Sequence, residues 1–584
     1  MRRELITRWG RDLDPAHVLP EHPRPQLVRD SCLVLNGWWD YAIRPRWAAT
    51  PGRYDGRILV PFSPEAPLSG VGRQLQPDER LHYRREVAVP DGFAVPGGRL
   101  LLHFGAVDQT CVVSVGGHEV GRHTGGYLPF TCDVTDALAA GRGEVLVDVR
   151  DRSDGHQHAS GKQRLRRGGI WYTAQSGIWQ TVWLEAVPAV HVERLTLVPY
   201  LDDAEVEVTV HAPPGTAAVR LDGTETEVRT GTPTRLPVTA PRAWTPQDPH
   251  LYDVEVHLGQ DRVRSYVAMR SVGVGPDAAE VPRLLLNGEP VVHVGVLDQG
   301  YWPDGLMTAP SDAAMVHDIE TMARLGFTVL RKHLKVEPLR WYHHCDRLGM
   351  LVWQDVVNGG GRYRTAAVTW PGRYRYRLRD TRWRPALGRG DPAGRALFLE
   401  ELRATVEHLR NVPSLAVWVL FNEGWGQFDA LRTTEALRSL DPTRVVDHAS
   451  GWHDQGGGDL VSRHRYGRGR VLPRRRDGRA VVLSEYGGRS LRVPGHVHDD
   501  EAAFGYGEPM TREGLADWFT RVHEDLAEVV PRGLAGTVFT QLSDVEDELD
   551  GLLTYDREVL KVDEGVVRSA LSRLTSARRP VPGA

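Results

Sequence analysis

Cysteine is scarce in this chain. Cys32, Cys111, Cys132 and Cys345 are the only four in 584 residues, too few and too scattered for a disulfide framework or a paired CxxC zinc site. They read as buried thiols, with a Cys111–Cys132 bridge as the alternative. Long apolar runs are missing too: no stretch approaches the roughly 18 uninterrupted apolar residues of a membrane span, and MRRELITRWGRDLDP has no apolar core of a secretion signal. The chain as given therefore reads as cytoplasmic, with no membrane partner. Nor is there an excess of one charge. A net charge of -4 leaves neither the basicity expected of a nucleic-acid binder nor an acidic tail. With 41% apolar residues the composition is that of an ordinary globular protein. Its length exceeds what one core organises, so about three domains are expected.

The texture changes twice along the chain. Over residues 1–187, short alternating runs such as RREVAVP, LLHFGAV, CVVSVGG and EVLVDVRD are broken by Gly, Pro and Asp, which predicts a β-sandwich of jelly-roll type. Residues 188–275 carry VERLTLVPY, AEVEVTV, AVRLDG and LYDVEVHL, which suits an immunoglobulin-like sandwich. Residues 276–584 repeat apolar strand, polar loop and amphipathic helix. Strands are expected near 291–296, 327–333, 350–355, 415–423, 444–450, 459–466, 481–487 and 536–543, with helices such as SDAAMVHDIETMARLG between several of them. Eight buried strands with interposed helices predict a (β/α)8 TIM barrel.

Barrel chemistry gathers at the C-terminal ends of the strands. VWVLFNEGWG (417–426) runs from the apolar fourth strand into Asn422, Glu423 and Trp425, and VVLSEYGG places Glu485 at the end of the seventh. Those two strands lie on opposing sides of the barrel mouth, so their terminal carboxylates can converge. Two carboxylates flanking one bond are the equipment of glycoside hydrolysis: one protonates the leaving oxygen while the other attacks or activates water. Either glutamate alone would read as a strand-end ion pair; the two together favour catalysis. Apolar surroundings beside Trp425 are expected to raise the pKa of Glu423, and the hydroxyl neighbours of Glu485 to keep it ionised.

The same motifs carry a family resemblance. NVPSLAVWVLFNEGWG resembles the acid/base signature of family 2 of the glycoside hydrolases, which includes β-galactosidase, β-glucuronidase and β-mannosidase, and VVLSEYGG resembles its nucleophile signature. Outside the barrel, LNGWWDYA (35–42), VPFSPEAPLSG (60–70), HTGGYLPFTCDVT (123–135) and SGIWQTVWLE (176–185) are similar to the family's N-terminal sugar-binding domain, and WTPQDPHLYDVEVHL (244–258) to the end of its sandwich domain. The resemblance implies a retaining, exo-acting glycosidase that needs no cofactor. It also implies Glu423 as general acid then base, Glu485 as the nucleophile, and Asn422 as a partner of the sugar 2-hydroxyl. Arg331, in GFTVLRKH, matches an arginine that the family keeps near the nucleophile; an ordinary structural ion pair is the alternative.

Other residues are assigned to the pocket by position. Tyr466 ends strand six, where it can donate to the nucleophile or simply pack. Trp353, Gln354 and Asp355 close strand three, with barrel filling as the other reading of Trp353. Asp298, Gln299, Tyr301 and Trp302 follow strand one, and Lys332 and His333 follow Arg331. Strand eight ends FTQLSDVEDELDGL, so Thr540, Gln541, Asp544 and Glu546 stand where many relatives place a tryptophan platform. A reshaped pocket follows. Family precedent points to a β-galactoside; a β-D-galactofuranoside or α-L-arabinofuranoside, a glucuronide or a mannoside are alternatives, and an inactive carbohydrate-binding protein is the non-enzymatic one. GHVHDD offers His496, His498 and Asp499 to a metal, but twenty-four histidines make chance pairs common and no metal is expected. YHHCD (342–346) reads as partly core on a helix. The arginine- and aromatic-rich segment 362–385 reads as an active-site loop or a contact in a homo-oligomer rather than a nucleic-acid surface, and PRRRDGR (473–479) as a solvated turn.

Overall fold

A computed structural model describes residues 5–153, 155–374, 376–466 and 477–577; residues 473–476 of the expected turn PRRRDGR lie outside them. The N-terminal part is a sandwich of a four-stranded and a six-stranded antiparallel sheet, the latter centred on Glu79–Ala88 and Arg142–Arg150. Period-2 alternation sends Val145, Val147 and Val149 into its core while their neighbours stay partly open. Next come a three-stranded and a four-stranded sheet over a valine- and leucine-rich core, the immunoglobulin-like arrangement. Cys111, Cys132 and Cys345 are buried thiols and Cys32 a partly buried one.

The barrel strands are β1 (His293–Asp298), β2 (Val329–Lys332), β3 (Leu351–Asp355), β4 (Leu415–Val419), β5 (Val445–Asp447), β6 (Leu460–Tyr466), β7 (Ala480–Gly487) and β8 (Leu534–Thr540). They pair in parallel in the order β5-β4-β3-β2-β1-β8-β7-β6. Among the described residues no ladder joins β5 to β6. β5 is only three residues long, and the chain beyond it turns so that Ser450 bridges Asn422 instead. Helices α1 (Asp312–Leu325) and α2 (Leu339–Leu348) cover the outer face between β1 and β3. α1 starts where the Ser311 hydroxyl accepts from Ala314 N at 3.1 Å and stops at Gly326, whose φ of 100° suits glycine. No described helix is long and apolar enough to cross a membrane.

Side-chain alternation along the strands decides what reaches the mouth. Leu297, Val329, Trp353 and Val417 point inward as the lower filling of the barrel. Arg331 and Asp355, two residues further on, form the layer above, and the residues between them face the helices.

The N-terminal sandwich also reaches the mouth. Its loop 159–176 is clamped there: Ser160 N and Gly161 N donate to Asn358 O at 2.9 and 3.1 Å, and Thr173 N donates to Glu546 Oε2 at 3.0 Å. The Tyr172 hydroxyl donates to Glu548. The approach is close enough to require glycine at Gly359, where a β-carbon would stand 1.9 Å from His158 O. The sugar-binding-like domain therefore supplies one wall of the cleft.

Candidate active site

Arg331, fully buried, organises the centre. Its guanidinium donates to both Asp355 oxygens at 2.9 and 3.0 Å, to Ser484 O at 2.9 Å, to Glu485 Oε1 at 3.1 Å and to Asn422 Oδ1 at 2.9 Å. A guanidinium has no acceptor, so Asn422 must turn its oxygen to Arg331. Its NH2 group is thereby left toward the cleft as a donor.

Glu485 sits within β7. Burial alone would raise its pKa, but His464, Arg331 and His333 nearby, with the Tyr466 hydroxyl donating to Oε2, hold it well below the ordinary carboxylate range. Burial and the Glu485 charge push the Tyr466 phenol far up, so it stays protonated and donates. Its ring stacks on Tyr506 at 3.8 Å and 3°.

Glu423 lies four residues beyond the end of β4 rather than on it. The turn is built by Glu423 N donating to Ser450 O at 2.9 Å and Trp425 N to Asn422 O at 2.8 Å. It holds Glu423 at φ 49°, a left-handed conformation that non-glycine residues avoid at a cost of about 1 kcal/mol. That strain aims the carboxyl across the mouth at His464, whose Nδ1 is 2.8 Å from Glu423 Oε1. The other ring nitrogen, Nε2, is 2.9 Å from Ser450 Oγ and 3.5 Å from Glu485 Oε1. An oxygen of Glu423, a nitrogen of His464 and an oxygen of Glu485 all lie within 4.8 Å of one another. Glu423 keeps about a tenth of its side chain exposed, and polar and aromatic groups rather than packed aliphatics surround the pair.

The structure thus brings together Glu423, Glu485, Asn422, Arg331, Asp355 and Tyr466. His333 joins them through its Nδ1, 2.6 Å from Asp355 Oδ2. Trp425 lies beside Trp171 of the N-terminal loop at 5.0 Å. Gln299 Nε2 donates to Gln541 Oε1 at 2.8 Å, and Gln541 in turn to Asp550 at 2.9 Å, which makes one wall continuous with Glu548.

Several expected residues do not join: Gln354 faces α2, where it accepts from the Tyr342 hydroxyl at 2.6 Å, and Lys332 turns outward to Asp298 and Glu337. Asp298 points out of the barrel to Lys332 Nζ at 2.7 Å, because the last residues of β1 and β2 fall on the outward phase of the alternation. Trp302 packs against Trp9 and under Arg557. Trp353 fills the layer below Arg331, its Nε1 donating to His293 Nδ1 at 3.0 Å near the opposite end. Asp544 is spent on an ion pair with Lys561, and Glu546 on Thr173. Within GHVHDD, His496 pairs with Asp556 at 2.8 Å and His498 packs on Tyr555. Among the described residues the only metal-compatible grouping of three is Glu423, His464 and Glu485 themselves. Within segment 362–385, Ala367 and Val368 share an apolar cluster with Trp425, which places that part of it beside the cleft.

Sequence reasoning missed His464, Tyr506, Glu548 and Lys162. His464 was accessible, being two residues before Tyr466 on one strand and hence on the same face.

The comparisons with known proteins agree with this layout. Profiles described as "Glycosyl hydrolases family 2, sugar binding domain", "Glycosyl hydrolases family 2" and "Glycosyl hydrolases family 2, TIM barrel domain" match residues 71–188, 190–270 and 282–559. The chain belongs to family 2 of the glycosyl hydrolases. It is 28% identical to a β-galactosidase of Aeromonas hydrophila over 478 residues, which is 76% of this chain and 43% of that protein. The chain spans less than half the length of the curated β-galactosidases it matches. In structure it resembles the β-D-glucuronidase of Dictyoglomus thermophilum, with a TM-score of 0.72, 18% identity and 93% and 97% of the two chains covered. It also resembles a family 2 β-galacturonidase of Eisenbergiella tayi, with a TM-score of 0.68, 18% identity and 95% and 99% covered. At those identities the likeness is one of fold.

The electrostatics make a first prediction. A Glu485 carboxylate with a depressed pKa is ionised at neutral pH and lost only as pH falls through that low value, so the acid limb of kcat/KM should lie below pH ~4, under an ordinary glutamate. Tyr466→Phe removes a donor to the ionised form, which raises the Glu485 pKa. The acid limb should then move to higher pH in a pH–rate profile, and an unmoved limb would separate Tyr466 from the carboxylate it touches.

Proposed function

We propose that this protein is a retaining, exo-acting glycoside hydrolase that removes a terminal β-galactosyl residue through a covalent glycosyl-enzyme. The approach of the Glu423 and Glu485 oxygens to within 4.8 Å carries this reading. Retaining enzymes hold their carboxyl groups about 5 to 5.5 Å apart, whereas inverting ones leave about 6.5 to 9.5 Å for a water between them. In this reading Glu485, held ionised by Arg331 and Tyr466, attacks the anomeric carbon. Glu423 protonates the leaving oxygen and then draws the proton from the water that releases the sugar. Asn422 offers its NH2 group to the 2-hydroxyl, where hydrogen bonds strengthen toward the oxocarbenium-like transition state. His464 touches both carboxyls, so it links the charge lost at Glu485 on glycosylation to the proton state of Glu423. A binding relic would need neither a paired base nor a nucleophile held ionised.

The galactosyl preference is supported by the curated relatives, which are β-galactosidases. A panel of 4-nitrophenyl β-galactoside, β-glucoside, β-mannoside and β-glucuronide and α-L-arabinofuranoside tests it. The galactoside should give the highest kcat/KM; hydrolysis of only another member would reassign the sugar.

A further inference from the structure

Lys162 belongs to the N-terminal sandwich, yet its ammonium lies 5.8 Å from the ring centroid of Trp425, two residues past Glu423, and 5.5 Å from that of Tyr172. The residue is 7% exposed. Among the described residues Nζ has neither a hydrogen-bond acceptor nor a carboxylate in ion-pair contact, unlike the other three lysines of the chain. Lys332 pairs with Asp298 and Glu337, Lys335 with Glu337, and Lys561 with Asp544. A cation so far removed from bulk water is costly unless something else compensates it.

Its surroundings say what that is. Lys162 stands over the ring of Tyr172, whose hydroxyl donates to Glu548, so ammonium and carboxylate lie at the two ends of one aromatic side chain. Burial raises the Glu548 carboxyl, and the charge of Lys162 pulls it back down. Asp550 is raised well above its ordinary value by burial and by Glu548, and among the described residues its Oδ2 has no hydrogen-bond partner. Glu485 adds its own negative charge to Glu548. The ammonium thus sits between Trp425, two residues past Glu423, and Tyr172, which holds Glu548.

We propose that Lys162 is a specificity-determining residue of the terminal-sugar subsite, and that the group bridging Lys162 and Glu548 is a hydroxyl of a neutral sugar rather than the carboxylate of a uronic acid. A hydroxyl satisfies both sides, accepting from the ammonium and donating to the carboxylate. A uronate would meet Lys162 only by bringing another negative charge toward Glu548 and Glu485, where little water screens the repulsion. Position supports the same assignment: the loop carrying Lys162 is locked to the barrel through Asn358 and Glu546, so the ammonium is held rather than swinging free. This inference rests on the glycosidase reading above.

The test compares 4-nitrophenyl β-galactoside with the β-galacturonide and β-glucuronide, and then with the 3-, 4- and 6-deoxy galactosides, in wild type and Lys162→Met. Wild type should favour the neutral sugar by about 100-fold or more in kcat/KM, the scale of one unpaired charge in a closed site. Lys162→Met should lose about 10- to 100-fold on the galactoside. It should lose almost nothing further on the one deoxy sugar that lacks the bridging hydroxyl. A wild type that prefers a uronide, or a Lys162→Met deficit equal on every deoxy sugar, overturns the proposal. Should the variant fail to fold, which a thermal melt reveals, the wild-type uronide comparison decides alone. Hydrolysis of no glycoside at all sinks the glycosidase reading, whereas a uronide preference with turnover intact sinks only the role given to this wall.

Discussion

Replacing Glu485 by alanine should lower kcat on an aryl β-galactoside by about 10⁴-fold or more, since no other group can form the covalent intermediate. The geometry leaves no substitute. Asp355 has both oxygens tied to Arg331 and one shared with His333, and Glu548 is engaged by Tyr172 and Gln541 on another wall. Truncation also leaves space for a small anion beside Arg331 and Asn422. Added azide should therefore restore turnover on a substrate with a good leaving group, attacking from the side Glu485 had occupied and releasing the glycosyl azide with inverted configuration. A variant that kept more than a few per cent of its activity would remove Glu485 from the role assigned to it.

Glu423→Ala should behave differently, and the difference separates the two carboxyls. The first step needs a proton only when the leaving oxygen is basic. The loss in kcat/KM should reach about 10³-fold for an alkyl galactoside or lactose and stay small for 2,4-dinitrophenyl galactoside, whose leaving group departs as the anion. The second step loses its general base for every substrate. The dinitrophenyl substrate should therefore show a burst followed by slow turnover, and azide should speed that turnover while giving the azide of retained configuration. Equal losses on all leaving groups would mean that Glu423 is not simply the proton donor.

Much of this was readable in the chain. Glu423 and Glu485 stood out because each ends an apolar run, which a parallel barrel strand must be on both faces. That same apolarity hid the rest. Where inward and outward residues are equally greasy, the sequence does not show which terminal side chains face the axis. Asp298 and Trp353 were thus assigned to the pocket, whereas Asp298 lies on the outward phase and Trp353 takes its alternative reading, filling the barrel a layer below. The turn that carries Glu423 past β4 left no periodic signature; its information lies in the pairing of Asn422 with Ser450, which only the fold brings together. Lys162 had no local signal either. Its loop reads as an ordinary irregular stretch of a sandwich, and its importance arises from docking against Asn358 and Glu548, residues far downstream.

Labelling with 2-deoxy-2-fluoro-β-galactosyl fluoride, followed by peptide mapping, tests the central claim most directly. The fluorine slows both steps and the fluoride leaving group restores the first, so the covalent species accumulates. One label on the peptide bearing Glu485, with inactivation that regenerates slowly in buffer, is the result the geometry predicts. A label on Glu423 or on another carboxylate would contradict it, as would hydrolysis of an unmodified aryl galactoside to the inverted anomer.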